Sequence, residues 1–248
     1  MNTHTTAPET TQRPHITTKI TRPSPEALER LGRYGSATIH EAQGKLGALD
    51  SRIKPIDPAM HFSGSAFTVV CAPRDNLMLQ VAIHYAQPGD VLIVSAGEMG
   101  QAGTFGDVLG NAAKAKGIAA LVTDSGVRDT VQLRALGLPV FSTSISITGT
   151  VKETLGPINQ PLVIGGQLVR PGDAVVGDAD GVVIVEREDV ERVTELSRLR
   201  EDNERDLIRR YRKGATTIEL CGLTDVLPRK GLTTDLDEMD PTQGLGSR

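Results

Sequence analysis

"ALVTDSGVRDT", residues 120–130, holds the pattern on which the fold turns. Ala120-Leu121-Val122 is an apolar run, Ser125-Gly126 is turn chemistry, and the residues from Thr130 onward ("TVQLRALG") read as a short helix. A buried strand therefore leads through Arg128 and Asp129 into a helix. Both charged groups are expensive to desolvate, and neighbours on an extended backbone point to opposite faces. Either they stand in a solvated turn, or they hold something that uses both charges.

The flanking segments repeat the same alternation. "VLIVSAG" (91–97) is a branched apolar strand, followed by the Gly-rich "GEMGQAGTFGDVLGNAAKAKG", which runs into a helix ending at Gly117. "IAALVTD" (118–124), a helix over 129–137 and "LPVFST" (138–143) follow. Upstream, Ser24-Pro25-Glu26 has the residues of a helix start, with Ser as N-cap and Pro at the first position. A second helix begins near Ser36, a strand covers 64–72, and Asn76 opens a helix through "LMLQVAIHYA". Strands alternating with helices favour parallel pairing with helical crossovers.

After Gly149 the pattern changes. "QPLVIGG", "QLVRPGDAVVGD" and "DGVVIVE" are strands with no helix between them. A charged helix runs from Glu188 to about Arg212, with Val190, Val193, Leu196, Leu199, Leu207 and Ile208 as its apolar positions. The predicted fold class is α/β, a single core over residues 23–187. A flexible arm (1–22) precedes it; the C-terminal helix (188–213) and a loosely ordered tail (214–248) follow.

Composition narrows the function. The chain is 38% hydrophobic and 23% charged, which suits a globular protein. Aromatics are 3% and Trp is absent, so a base-stacking surface is not expected. A net charge of −4 gives no general attraction for nucleic acid or anionic membrane. No apolar run is long enough for a membrane span, and the Thr-rich N-terminus lacks the apolar core of a secretory signal. The two cysteines, Cys71 and Cys221, show no metal spacing and suit a reducing cytoplasm, with Cys71 a core residue.

Several familiar motifs fail on inspection. The glycines of "GEMGQAGTFG" do not follow GxGxxG, Gly44-Lys45 is followed by Leu46 rather than Ser or Thr, and His40-Glu41 is not HExxH. There is no GxSxG elbow, and no lysine sits in an apolar strand that would activate it for a Schiff base.

Two elements survive. Gly103-Thr104-Phe105-Gly106-Asp107-Val108-Leu109-Gly110 enters a helix, whose free N–H groups favour a carboxylate or phosphate. It reads equally as a loop with glycines for tight turns. Arg128-Asp129 follows the next strand, and parallel strands end along one edge where ligands gather. Arg offers a planar fork to a carboxylate or enolate oxygen, and Asp a hard oxygen to Mg²⁺. The alternative is that Asp129 caps the helix that follows, with Arg128 on the surface.

"GSATIHEAQGKLG", "GDVLGNAAKAKG", "LVTDSGVRD" and "VVGDADGVVIV", in that order, resemble the RraA-like family over residues 24–212. Within it they are most similar to the class II pyruvate aldolases that cleave 4-hydroxy-4-methyl-2-oxoglutarate and 4-carboxy-4-hydroxy-2-oxoadipate. The resemblance implies a compact swivelling β/α sandwich, a homotrimer or homohexamer with the active site between subunits, a keto acid substrate, and Mg²⁺ or Mn²⁺ as cofactor. It implies that Asp129 holds the metal and that Arg128 meets the keto or enolate oxygen. The substrate carboxylate falls to the loop at Gly106, gripped by the N–H groups of Asp107, Val108 and Leu109. Asp107 positions the water that moves protons. A C-terminal-helix glutamate of a neighbouring subunit completes the site, Glu204 or the competing Glu201, and Glu41 matches an acidic position near it. Oxaloacetate decarboxylation is the implied side activity. The tail "GATTIELCGLTDVLPRKG" departs from the Gly-Leu-Asp-x-Tyr-like ending of the 4-carboxy-4-hydroxy-2-oxoadipate enzymes. The family also contains RraA proper, an inhibitor of RNase E that need not be an enzyme.

Overall fold

The computed structural model describes residues 15–97 and 102–232. Expectations for residues 1–14, 98–101 and 233–248 lie outside the described residues. The chain divides into one unit ending at Arg198 and another beginning at Leu199.

The first unit is built on a seven-stranded sheet. Its order is β1 (Lys54–Pro55), β7 (Val140–Ser142), β5 (Ala120–Thr123), β3 (Asp90–Ser95), β2 (Phe62–Val70), β11 (Ala174–Asp178) and β12 (Gly181–Val185). The strands β2, β3, β5 and β7 pair in parallel, as the alternating sequence predicts. The helix-free C-terminal strands instead pair antiparallel, β11 lying between β2 and β12. One short segment then serves both edges of the sheet. Ala48 bridges Val183 and the Leu49 N–H donates to Val182 O, while Lys54 and Pro55 pair with β7. The sheet is thereby a nearly closed barrel.

Parallel strands covered on both faces need apolar residues at every position. Val91, Leu92, Ile93 and Val94 of β3 are accordingly all buried. Cys71 lies in the same core, where burial pushes its thiol up to about 12.

The helices α1 (Pro25–Leu31), α2 (Ser36–Ala42) and α3 (Leu77–Tyr85) follow the expected starts. Ser24 Oγ caps α1 by accepting from the Ala27 N–H. Asn76 does not cap α3. Asp75 accepts from the Leu77 N–H instead, and the Asn76 amide donates to Thr104 O. The motifs "SATIHEA" and "VVGDADG" meet at Asp178, whose carboxylate accepts from the Ser36 N–H and hydroxyl at the start of α2.

A second sheet was not legible in the sequence. Strands β4 (Gly103–Phe105), β6 (Gly126–Val127) and β8 (Ser144–Ile145) pair in parallel, in the order β4-β6-β8. In the chain β4 follows β3, β6 follows β5 and β8 follows β7. Asp124, just after β5, ties the ends of β5 and β3 together, its carboxylate accepting from Ser95 Oγ and the Ala96 N–H. The helices α4 (Asp107–Ala115) and α5 (Thr130–Leu136) leave from β4 and β6. Gly110 lets them pack closely, since a β-carbon there would reach 2.5 Å from Leu133 Cδ2. The hairpin β9 (Leu162–Ile164) and β10 (Gln167–Val169) lies outside both sheets.

The stretch expected as a loose arm is tied down from Ile16 on. Ile16 bridges Ile158, and Asn159 donates to Thr17 O. Arg22 donates through Nε and Nη2 to the fully buried carboxylate of Asp90, at 2.7 and 2.9 Å. Stranding one partner of a buried ion pair is costly because the remaining charge has no solvent. Arg22→Met is expected to lower unfolding free energy in a urea titration by about 3 kcal/mol. A loss below about 1 kcal/mol would place the pair with ordinary surface bridges.

The helix α6 (Val190–Tyr211) begins in the first unit, where Val190 and Val193 are buried with α1 and α2 residues. Leu199 and Ile208, expected as apolar contacts, are about half exposed at 50% and 48%. The second unit adds α7 (Thr217–Leu220), opened by a Thr216/Glu219 capping box, and α8 (Val226–Arg229). No helix of the described residues is long and apolar enough to cross a membrane.

Candidate active site

The site begins with a helix that lacks a cap of its own. Strand β4 ends at the buried Phe105, and Gly106, in extended backbone, starts α4 without any side-chain acceptor. The first N–H groups of a helix need partners from elsewhere. One comes from the next βα turn: the Asp107 N–H donates to Asp129 Oδ2 at 3.0 Å.

Asp129 reaches that position through an unusual backbone. Its φ of 56° and ψ of 40° are left-handed, a conformation that costs a non-glycine residue on the order of 1 kcal/mol or more. It is pinned from both sides. Val127 is buried in β6, the Arg128 N–H donates to Phe105 O at 2.9 Å, and the Leu133 N–H donates to Asp129 O at 3.0 Å. The alternative reading of Asp129 as a cap is thus half met. It occupies the N-cap position of α5, but its side chain makes no capping bond there. It serves α4 instead.

Glycines make the approach possible. A β-carbon on Gly106 would overlap Asp129 Oδ2 and lie 3.0 Å from Arg128 Cγ. One on Gly103 would lie 3.2 Å from Arg128 Cβ and Cδ, so the arginine stem runs along β4. Arg128 Nε stands 3.9 Å from Asp129 Oδ2, with the two side chains 44% and 43% exposed. Arg128, Asp129, Gly106 and Asp107 therefore converge.

Of the three N–H groups expected to grip a substrate carboxylate, that of Asp107 is already engaged by Asp129. Those of Val108 and Leu109 have no acceptor among the described residues. Asn111, which the sequence reading missed, donates from Nδ2 to Asp107 Oδ1 at 2.8 Å and to Asp107 O at 3.0 Å. The i,i+4 spacing from Asp107 is the signal that marks it. Four apolar side chains stand exposed nearby in the chain or sheet: Val108 on α4 at 81%, Val131 on α5, Ile145 on β8, the strand beside β6, and Ile147 just after it at 91%.

Residues 36–184 match the family model RraA-like, Aldolase/RraA. The chain belongs to the RraA-like family. A Halalkalibacterium halodurans protein named "Putative 4-hydroxy-4-methyl-2-oxoglutarate aldolase" is 37% identical over 160 residues, covering 64% of this chain and 76% of that one. A crystal structure of an uncharacterized protein from Pseudomonas syringae pv. tomato aligns with a TM-score of 0.74 at 27% identity, covering 83% of this chain and 97% of the other. Streptomyces coelicolor RraAS2, described as an unusual member of the RNase ES inhibitor RraA family, aligns at 0.67 and 30% identity, covering 76% and 100%.

The remaining RraA-like candidates lie on other elements. Glu41 sits on α2, which packs against β11 and β12. Glu201 pairs with Arg205, and Glu204 with Arg200, one helical turn away on α6. A separate cleft of about 330 Å³ shares no residue with the Arg128 cluster. Its Arg170 is neutralised by Glu186 and Glu188.

Among the described residues, no group of three or more His, Cys, Asp or Glu could cage a metal. Asp129 suits another donor set. Its Oδ2 is held by the Asp107 N–H, and no described residue donates to its Oδ1. Mg²⁺ accepts few protein ligands and keeps several waters, so a single oriented carboxylate beside solvent fits it.

Proposed function

We propose that this protein is a divalent-metal-dependent aldolase. It would cleave a 4-hydroxy-2-oxo di- or tricarboxylic acid to pyruvate and a second keto acid, with oxaloacetate decarboxylation as a side activity. The observation that carries the reading is the strained Asp129, held on the start of α4 beside Arg128. Lys45, Arg74 and Asn159 share the left-handed backbone, but Asp129 uses it to turn its carboxylate onto the start of a neighbouring helix beside an arginine, and strain of this kind collects at functional sites. Relatives named as aldolases support it.

Asp129 would hold Mg²⁺ or Mn²⁺, which when bound polarises the 2-keto oxygen. The N–H groups of Val108 and Leu109 receive the carboxylate of the substrate's pyruvyl end. Arg128 faces the keto oxygen and balances the charge that grows there. A water held by Asp107 takes the proton of the C4 hydroxyl. The C3–C4 bond breaks, its electron pair forms the C2–C3 enolate, and C4 becomes a carbonyl. The same proton returns to C3, giving the methyl group of pyruvate. Loss of CO₂ from oxaloacetate gives the same enolate.

The exposed Val108, Val131, Ile145 and Ile147 support a second copy of the chain covering this face, as a trimer or hexamer. Glu204, Glu201 and Glu41 are the candidates it would contribute. The likeness to RraAS2 favours a second reading, a regulator of an RNA-degrading enzyme without catalysis.

Pyruvate release, coupled to lactate dehydrogenase, separates the two. Release from 4-hydroxy-4-methyl-2-oxoglutarate or 4-carboxy-4-hydroxy-2-oxoadipate is expected with Mg²⁺. It should vanish with EDTA and return with excess Mg²⁺ or Mn²⁺. Silence on these substrates and on oxaloacetate, together with a stable complex with a ribonuclease, would establish the regulator.

A further inference from the structure

We propose that Asn111 is a positioning residue for the proton-transfer step: it fixes the carboxylate of Asp107 so that one oxygen is offered to the reacting water. The inference rests on the enolate-forming reading above.

Asp107 is the first residue of α4 and is only partly buried. An aspartate there would ordinarily exchange between staggered rotamers in solvent. Asn111 stands one turn on, and its amide nitrogen bonds both Oδ1 and the backbone oxygen of Asp107, at 2.8 and 3.0 Å. Two anchors, one on the side chain and one on the peptide, fix the rotamer rather than merely tether it. The donor is a neutral amide, which brings no countercharge to the site. No described residue donates to Oδ2 of Asp107, and that oxygen is left for water. The Asp107 N–H is at the same time spent on Asp129. Backbone and side chain of this residue are thus held by separate partners, one on its own helix and one on the next turn. Proton transfer through one water is sensitive to placement, and an error of about 1 Å can cost 10²-fold.

The test uses the full-length protein, pyruvate and D₂O. An enolate-forming site takes a proton from the methyl group of pyruvate, the C–H pair becoming the C2–C3 double bond. It then returns deuterium from solvent, and proton NMR reads the loss of methyl signal. Asn111 is exposed, and leucine and alanine are better helix formers, so both variants keep the fold. Asn111→Leu and Asn111→Ala are expected to slow exchange by about 10-fold or more, with the pyruvate concentration for half-maximal rate changed less than about 2-fold. Asn111→Gln keeps the amide and is expected to recover part of the rate. A merely structural role would move the melting temperature and leave the exchange rate alone. Exchange at the wild-type rate in Asn111→Leu overturns the proposal while leaving the aldolase reading intact. Absence of exchange in the wild-type protein overturns that reading, and this proposal with it.

Discussion

Replacing Arg128 by alanine is expected to lower kcat for pyruvate release by about 10²-fold or more, the loss seen when one donor to a developing oxyanion is removed. The basis is the way the side chain is mounted. Its N–H is bonded to Phe105 O, its stem lies against the bare backbone of Gly103 and Gly106, and its guanidinium reaches the face where Asp129 stands. The charge it meets in the keto acid is partial and becomes a full negative charge only in the enolate. Its loss should therefore fall mainly on kcat, with KM less affected. Arg128→Lys keeps the charge but not the planar fork, and is expected to recover only a minor part of the rate. The side chain is half exposed, so neither variant should fail to fold. Steady-state kinetics on either hydroxy-oxo acid decide it, and wild-type turnover in Arg128→Ala would remove the arginine from the mechanism.

The parts of this arrangement that were legible in the sequence are those with enough length to show a period. The Ser24-Pro25-Glu26 start gave α1, and the branched run of β3 read as a buried strand. The chain order placed the Gly-rich helix start and Arg128-Asp129 at ends of neighbouring strands. What joins them was not legible. Strands of two or three residues, such as β6 and β8, carry no alternation to detect. Beside them Asp124, just after β5, draws in Ser95 Oγ and the Ala96 N–H at the end of β3, and that pairing too is long-range. Asp129 was open to two readings for a related reason. Next to its own helix it looks like a cap, and only the tertiary structure shows its carboxylate serving α4 instead. Asn76 repeats the lesson: it stands at the N-cap position of α3, yet its amide donates to Thr104 O in β4 rather than its oxygen capping the helix. Antiparallel β11 and β12 could be read as consecutive strands, but closure of the barrel through the segment around Ala48 could not.

Gly106→Ala should produce nearly the same loss as removing Asp129, although it deletes no functional group. The backbone at Gly106 is extended, with φ −153° and ψ −165°, so alanine is allowed there. The cost arises only from what the new methyl group meets. It would overlap Asp129 Oδ2, and the carboxylate would have to leave the start of α4. That frees the Asp107 N–H and moves the carboxylate away from the position in which it would hold a metal. The expected stability loss is that of one hydrogen bond to a charged group, about 1.5–3 kcal/mol, partly returned by relief of the left-handed strain. On the proposed reading activity should fall much further, by about 10²-fold, because the displaced carboxylate would hold the metal at the enolate oxygen. A double-mutant cycle tests the cause. If Gly106 acts only through Asp129, Gly106→Ala should cost little more in the background of Asp129→Ala, a strong departure from additivity. Mn²⁺ binding, followed by electron paramagnetic resonance, should weaken in both single variants and no further in the double. Additive losses would mean that Gly106 acts by another route, through close approach of the substrate at the helix start or through the Arg128 stem that its β-carbon would also press, and that Asp129 is held in place by other contacts.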